Sequence, residues 1–515
     1  MRENSKILNT ISWLMVFTVV AKVFGFFREL LLSFFFGTSG VSDAYLISQT
    51  IPGTIFQFVG TGLATCFIPI FFKAKNEKEN DEKQFTDSII TLILFLSVII
   101  IVVVWLYTPY VVKLFASGFQ GDTLQYAIDF TRVSIISLLF STFLYVYTSY
   151  LQANNVFKII AFAAIPNSIC IILSIVFAYY WNINALSFGS VLAVFIQLCF
   201  LVKSLHKCGY HFKLNFDWKN KYVRMFFRLL APVILGISVN QINTLVDRRL
   251  ASQITVGGIS ALIYADSLIQ FVRGFLSQIS TVSYPNVTKL VNENKTQKAE
   301  ELTSSIILIL LLILLPIAAW FVVYSYDVIE LLFLRGALDE KGASLTSVAL
   351  VFYSIGIPFL GIRDIISGYF YAYNDTKNPA KNSLIGLGVN IVFNLMFSKW
   401  LGIGGLALAT SFAAIITTVL LFVDSKRCEN MLTISIDKIE CMKIIISTLV
   451  MSVALIFIDR NLYECAFVRI ICSLFFGGVI YLICNLVLRV KLIENILIVL
   501  KEKLSTRRKE IKQDK

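Results

Sequence analysis

Lys22, Arg28 and Glu29 stand close together in AKVFGFFREL (21–30), inside an apolar run where lipid-facing side chains are expected. A charge at the bilayer centre costs about 2.5–3.5 kcal/mol on insertion scales, so such a group faces a wet cavity or a partner. Six residues separate Lys22 from Arg28, roughly 120° around an ideal helix. Gly25 between them offers a place for the helix to distort and bring the two cations to one face. Glu29 neighbours Arg28, and adjacent helical positions do not face each other. Two cations with one poorly placed anion leave net positive charge in the membrane. That suits an anionic ligand such as a phosphate or diphosphate. The competing reading, in which both side chains snorkel to an interface, leaves at least one of them deep in the segment.

A second constellation is mostly uncharged. Asn390 and Asn394 lie one helical turn apart in GVNIVFNLMF, Thr410 follows in LALATSF, and Asp247 stands early in the second half. One carboxylate with amide and hydroxyl oxygens suits a hard monovalent cation; interhelical hydrogen bonding by the asparagines is the alternative. Other charges within apolar runs sort by spacing. Asp129 and Arg132 are three apart and expected to pair. Asp266 and Arg273 are seven apart on one helical face, and Arg363 and Asp364 are adjacent mid-segment.

These groups need membrane helices to position them. The chain has 515 residues, 57% hydrophobic and 15% charged, against about 25% charged in a soluble domain. Its apolar residues fall in blocks of about twenty, enough to cross roughly 30 Å of hydrocarbon. ITLILFLSVIIIVVVWLY (90–107) and CSLFFGGVIYLICNLVL (472–488) are examples. The class is an all-α polytopic membrane protein. Solid apolar runs exclude a β-barrel, whose strands alternate. Fourteen hydrophobic segments are expected, near 8–35, 42–72, 86–115, 123–151, 156–180, 183–204, 222–249, 258–285, 301–325, 343–373, 380–399, 402–424, 440–458 and 466–488.

Charge orients them. Lys and Arg crowd 73–83, 203–228, 289–298, 377–381, 426–443 and the tail, and are sparse in the intervening loops. The positive-inside rule then puts both termini in the cytoplasm. The net charge of +13 is thereby assigned to an anionic membrane surface, and nucleic acid is not expected as a partner. The nine cysteines show no CxxC or metal-like spacing, and two histidines, His206 and His211, share one basic loop. Metal chemistry and histidine catalysis are therefore poorly supported. The N-terminal run is too long and too charged for a cleavable signal. No GxxxxGK[ST] loop exists, so ATP is not a direct driver. The loops are too short for a catalytic domain, so a membrane glycosyltransferase is not expected, and only the basic tail would suggest a signalling scaffold.

There is also an internal repeat. LLLSFFFGTSGVSDAY (30–45) resembles RRLASQITVGGISALIY (248–264) at an offset near 218 residues. The expected organisation is an N-lobe (1–205), a basic cytoplasmic linker (206–221) and a C-lobe (222–425). Two further helices (426–489) and a basic cytoplasmic tail (490–515) follow. Six-helix lobes around a midplane site are a common secondary-transporter plan.

KVFGFFRELLLSFFFGTSGVSDAYLISQTIP (22–52) resembles the N-terminal signature of the MurJ/MviN lipid II flippase family, within the multidrug/oligosaccharidyl-lipid/polysaccharide exporter superfamily. The likeness continues in order through 246–271, 332–358, 370–395 and 402–414. It implies fourteen helices, two six-helix lobes around a central cationic cavity, and a groove by the last two helices for a polyprenyl tail. Residue by residue, it implies substrate binding by Lys22, Arg28, Glu29, Asp43 and Asp266. It also matches Asp247, Asn390, Asn394 and Thr410 to a sodium site of some members, with Asn394 where relatives carry aspartate. Family arginines are replaced by Phe56, Gln57 and Ser267, and a family glutamate by Thr61. The implied activity is non-enzymatic: flipping of an undecaprenyl-diphosphate-linked saccharide, lipid II or similar, across a bacterial cell membrane. The implied cycle needs no cofactor and is driven by the membrane potential or a coupling cation, sodium or proton; a monomer is expected. An exopolysaccharide or O-antigen precursor flippase is the alternative, followed by a cation-coupled drug exporter.

Overall fold

Turn chemistry between the apolar runs sets where the helices stop. The computed structural model describes residues 2–77, 81–427, 434–457 and 466–494. Its first eight helices are α1 (Arg2–Phe36), α2 (Gly40–Glu77), α3 (Asp81–Leu106), α4 (Thr108–Phe115), α5 (Gly121–Ser134), α6 (Ser137–Ala153), α7 (Lys158–Tyr180) and α8 (Ala185–Lys207). The rest are α9 (Lys221–Ile254), α10 (Gly258–Asn292), α11 (Thr296–Leu332), α12 (Glu340–Ala372), α13 (Lys377–Leu401), α14 (Ile403–Arg427), α15 (Lys438–Phe457) and α16 (Ala466–Val487). No strand occurs among the described residues.

Asn155, Asn294 and Asn374 follow α6, α10 and α12 with φ near +60°. Behind each, the next N–H reaches back to a carbonyl in the last turn, as Val156 does to Leu151, Lys295 to Leu290 and Asp375 to Phe370. Asparagine tolerates the left-handed conformation, so it closes these helices by satisfying carbonyls that would otherwise lack partners.

Two of the fourteen hydrophobic segments hold two helices each. The run 86–115 breaks at Tyr107, where a proline in the first turn of α4 costs no helical hydrogen bond. The run 123–151 breaks between α5 and α6, which bend by 47°. Among the described residues nine helices are long and apolar enough to cross a membrane, or ten if that bent pair is one span. Helices α1, α2, α9 and α10 are of 34 to 38 residues and stand outside that set, which rests on length and composition alone.

The described residues fall into two compact units. The first draws on Met1–Phe271, Phe333–Leu345 and Asn394–Leu406; the second on Val272–Leu332, Thr346–Phe393 and Ala407–Lys515. An aromatic core organises one end of the first unit. Phe67, Phe71, Phe85, Tyr150, Tyr210, Tyr222 and Phe226 are all buried there, with ring pairs such as Tyr150–Tyr210 at 4.7 Å and Phe67–Phe85 at 5.2 Å. The non-helical chain between α8 and α9 is pinned onto α3. Tyr210 donates its hydroxyl to Asp87 at 2.6 Å, and Asn215 donates to Thr91 and Ser88. In the second unit, Tyr324, Met451, Leu455 and Tyr481 form the contact between α11, α15 and α16. Each tyrosine hydroxyl there donates to a backbone carbonyl of a neighbouring helix, Tyr324 to Leu455 and Tyr481 to Leu312. Buried hydroxyls need such partners in a dry interior.

Candidate functional site

Helix α1 carries the first candidate group. It runs unbroken through Gly25, contrary to the expected distortion. No atom lies within 4 Å of where a Cβ would sit there, so nothing presses on the helix to bend it. Lys22 therefore stays on a different face from Arg28 and is exposed. Arg28 and Glu29 do pair, against the expectation for neighbours. The guanidinium folds back so that Nε and Nη2 donate to Glu29 Oε1 at 3.2 and 2.7 Å. The long arginine side chain bridges an angular gap that shorter chains would not. Glu29 is buried, and its Oε2 has no hydrogen-bond partner among the described residues; Ser33 Oγ, one turn on, is in the same condition.

Asp43 lies at the start of α2 and is fully buried. Its oxygens accept the backbone N–H groups of Gly257 at 2.7 Å and Ser260 at 2.8 Å, at the start of α10. The carboxylate thus sits where a helix N-terminus attracts negative charge. The two junctions it joins are the two halves of the internal repeat. Gly37 and Gly257 both have positive φ, and at either one a Cβ would collide with a carbonyl, of Ala337 or of Thr38. The Gly37 carbonyl accepts from Ser42 and Tyr264 hydroxyls. Sequence similarity at the repeat signalled the junction, but not that the two copies meet.

The proposed cation ligands hydrogen-bond one another. In the first unit Asn394 Nδ2 donates to Asp247 Oδ1 at 2.6 Å. In the second, Asn390 Nδ2 donates to Thr410 Oγ1 at 3.3 Å. Carboxylate, amide and hydroxyl are the oxygen donors a hard cation takes. Here each amide presents an N–H to its partner. No group of three or more His, Cys, Asp or Glu suited to a metal occurs among the described residues.

The remaining intramembrane charges find partners both on their own helix and on neighbouring ones. Asp129 takes two hydrogen bonds from Gln125, at 3.0 and 3.1 Å, and Arg132 lies over the Trp105 ring at 5.5 Å. The expected Asp129–Arg132 pair is not made, because each has a better-placed partner. Asp266 accepts from Gln270 at 3.4 Å, while Arg273 reaches Asp364 on α12 at 3.1 Å. The positions at which the resemblance implies arginine are filled, not vacant. Phe56 is buried and stacked on Tyr145 at 4.9 Å. Gln57 accepts from Gln241, and Ser267 bonds the Tyr264 carbonyl at 2.7 Å. Thr61 lies outside the residues whose side chains are described.

Comparison with known proteins bears on the whole chain. The family model described as lipid II flippase MurJ matches residues 32–477. A probable lipid II flippase MurJ of Rickettsia prowazekii (strain Madrid E) is 25% identical over 453 residues, covering 87% of this chain and 89% of the relative. One from Buchnera aphidicola subsp. Baizongia pistaciae is 28% identical over 469 residues, covering 88% and 90%. Among solved structures, a lipid II flippase MurJ in an inward closed conformation matches with TM-score 0.83 and 24% identity, over 93% of this chain and 99% of that one. An inward-facing multidrug resistance MATE family transporter shares the fold at TM-score 0.66 and 14% identity, over 79% and 94%. With nearly nine-tenths of its length inside the family pattern, this polytopic helical chain is a transporter rather than an enzyme and belongs to the lipid II flippase MurJ family.

Proposed function

We propose that the chain moves lipid II, a polyprenyl-diphosphate-linked saccharide, from the cytoplasmic to the outer leaflet of a bacterial cell membrane by alternating access. The observation that carries this reading is the half-exposed Arg28 guanidinium, held on α1 by a buried Glu29, in a chain whose family is named for that substrate. A planar fork of donors suits a diphosphate, and Lys22 adds a mobile charge on the same helix. Glu29 holds the fork in place while no anion is bound, and the phosphate oxygens take over its hydrogen bonds. For the tail, the reading draws support from an apolar hollow of about 210 Å³ bordered by Pro316, Trp320, Met451, Leu474, Gly477 and Tyr481. Both termini are placed in the cytoplasm on the charge of the loops, and six-helix lobes at 1–205 and 222–425 on the internal repeat and the count of hydrophobic segments. Transport is coupled to the membrane potential, about 2.3 kcal/mol per charge per 100 mV, or to a cation, sodium or proton, attracted to Asp247.

One observation favours a second reading. Phe56 and Ser267 stand where the family resemblance implies arginine; Phe56 is stacked on Tyr145 and Ser267 bonds a backbone carbonyl. A different lipid-linked oligosaccharide, such as an exopolysaccharide or O-antigen precursor, would tolerate that loss. Complementation of a lipid II flippase depletion strain separates the two. Rescue is expected; failure to rescue despite good membrane expression overturns lipid II in favour of the second reading.

A further inference from the structure

The second unit contains an arginine–aspartate–arginine cluster that the fold does not neutralise. Asp364 Oδ2 takes Arg273 Nη2 at 3.1 Å from α10, and its Oδ1 lies 3.5 Å from Arg363 Nη2 on its own helix. One carboxylate between two guanidinia leaves a net charge of +1. The 3.5 Å contact is also longer than a good charge-assisted bond, and Arg363 makes no other ion pair among the described residues. Arg363 is nine residues from the end of α12, and Arg273 is fifteen residues into α10. At 1.5 Å per residue both stand more than about 13 Å from their helix ends. The side chains of Arg273, Arg363 and Asp364 are nevertheless 25%, 36% and 43% exposed. Exposure to hydrocarbon would cost several kcal/mol per charge, so this face meets water.

The same face carries aromatic rings. Tyr371 lies two turns beyond Asp364 and close enough to feel both its charge and that of Arg363. Tyr284 lies three turns beyond Arg273 and borders Gly368 of α12, where a Cβ would stand 3.7 Å from its ring. Both tyrosines are 43% exposed. Guanidinia for phosphate and open tyrosine faces for a pyranose ring thus lie along α10 and α12, with Asp364 between the two guanidinia.

We infer that Arg273 and Arg363, with Asp364, Tyr284 and Tyr371, form an anion- and sugar-binding strip for the diphosphate-saccharide headgroup of a polyprenyl lipid. The inference rests on the flippase reading above and adds residues that the sequence resemblance does not assign. Asp364 is here a positioning residue, since it aims Arg273 while limiting the net charge.

The test is binding of lipid II and of undecaprenyl diphosphate to the full-length protein in nanodiscs, with soluble inorganic diphosphate as a competitor. Arg363→Gln spares the Arg273–Asp364 bridge between helices, so it keeps the fold; at least a fivefold loss of lipid affinity is expected. Asp364→Asn raises the net charge to +2 and is expected to tighten binding of undecaprenyl diphosphate. A purely structural bridge predicts the opposite, lower stability with no gain in affinity. Arg28→Ala runs in parallel. If it loses binding while Arg363→Gln and Asp364→Asn match the unmodified protein, this inference falls and the flippase reading stands. If the unmodified protein binds neither lipid, both fall. Soluble diphosphate binding as tightly as the lipids overturns the assignment to a lipid headgroup.

Discussion

Asp43 and Ser260, 217 residues apart in sequence, are joined by a backbone N–H donated to the carboxylate at 2.8 Å. With the Gly257 bond at 2.7 Å, both carboxylate oxygens are committed to the first turn of α10. Asp43→Ala removes two charge-assisted bonds and leaves two amides in a buried place without acceptors. The expected cost is about 3 kcal/mol, read as a lowered unfolding temperature of the purified protein. Asp43→Asn keeps one acceptor and should cost about half as much. An alanine variant as stable as the unmodified protein would remove Asp43 from the latch.

Apolar length is a local property, and that is why the helices are legible in the sequence while their polar partners are not. The runs 90–107 and 472–488 announce α3 and α16 without any tertiary information. Where a charged side chain points is decided by whichever polar or aromatic group lies best placed, on its own helix or on the one beside it. Arg273 shares a helical face with Asp266, yet its partner is Asp364, 91 residues on. Asp129 and Arg132 have the spacing of a pair, but Gln125 and Trp105 hold them apart. Gly25 permits a kink that no neighbouring atom enforces. Spacing did carry the Asn390–Asn394 pairing to polar partners, because one face of one turn meets polar groups at both positions. The family likeness covered the rest of the fold, since it spans nearly every helix.

Arg469 ties α16 to α11 through two carboxylates. Nε lies 3.1 Å from Asp327 Oδ1 and Nη2 lies 2.6 Å from Glu330 Oε2, with Asp327 almost fully buried. Arg469→Met strands a buried negative charge, which costs about 3–5 kcal/mol. Adding Asp327→Asn should recover much of that loss, since the uncompensated charge disappears. Thermal unfolding of the single and double variants checks this. A double variant no better than the single one would show that packing, not charge, sets the cost.

A pH-sensitive anchor joins the start of α15 to the chain after α16. Lys491 Nζ donates to Asp437 at 3.0 Å, and the N–H groups of Ile439 and Glu440 also point to that carboxylate. The Lys491 hydrogen bond, then the Glu440 N–H, hold the Asp437 carboxyl below its ordinary value; the same bond raises Lys491. A depressed carboxyl contributes stability that is full above its unfolded pKa of about 3.9 and is lost as pH falls through the folded value. A raised ammonium contributes stability that is full below its unfolded pKa of about 10.4 and is lost as pH rises through the folded one. The anchor therefore holds between about pH 4 and pH 10. Amide exchange at 438–443 should accelerate outside that window, and Asp437→Asn should flatten the acid side. Exchange unchanged on acidification would dispose of the anchor.

Asp247 is the only carboxylate among the four proposed cation ligands, and it already accepts Asn394 Nδ2 at 2.6 Å. A bound cation would need that amide to turn its oxygen inward. Under the proposed coupling, flipping in proteoliposomes slows when sodium is replaced by choline, and Asp247→Ala abolishes the sodium response. Sodium-independent flipping that Asp247→Ala leaves intact would reduce the set to interhelical hydrogen bonds, with the membrane potential as the remaining driver.

Arg28 is the most direct test of how the headgroup is held. Its two donors converge on a single Glu29 oxygen, leaving the other guanidinium edge and a side chain 36% exposed. Arg28→Ala should abolish flipping at normal expression. Arg28→Lys keeps the charge but not the planar fork, and a loss of about tenfold, or about 1.4 kcal/mol, is expected. Glu29→Gln separates positioning from binding. It removes the carboxylate that holds the guanidinium, so substrate affinity should be kept or rise while the turnover rate falls. If Arg28→Ala flips lipid II normally, the anion is held elsewhere. If Arg28→Lys is as inactive as alanine, two-point recognition rather than charge decides the step.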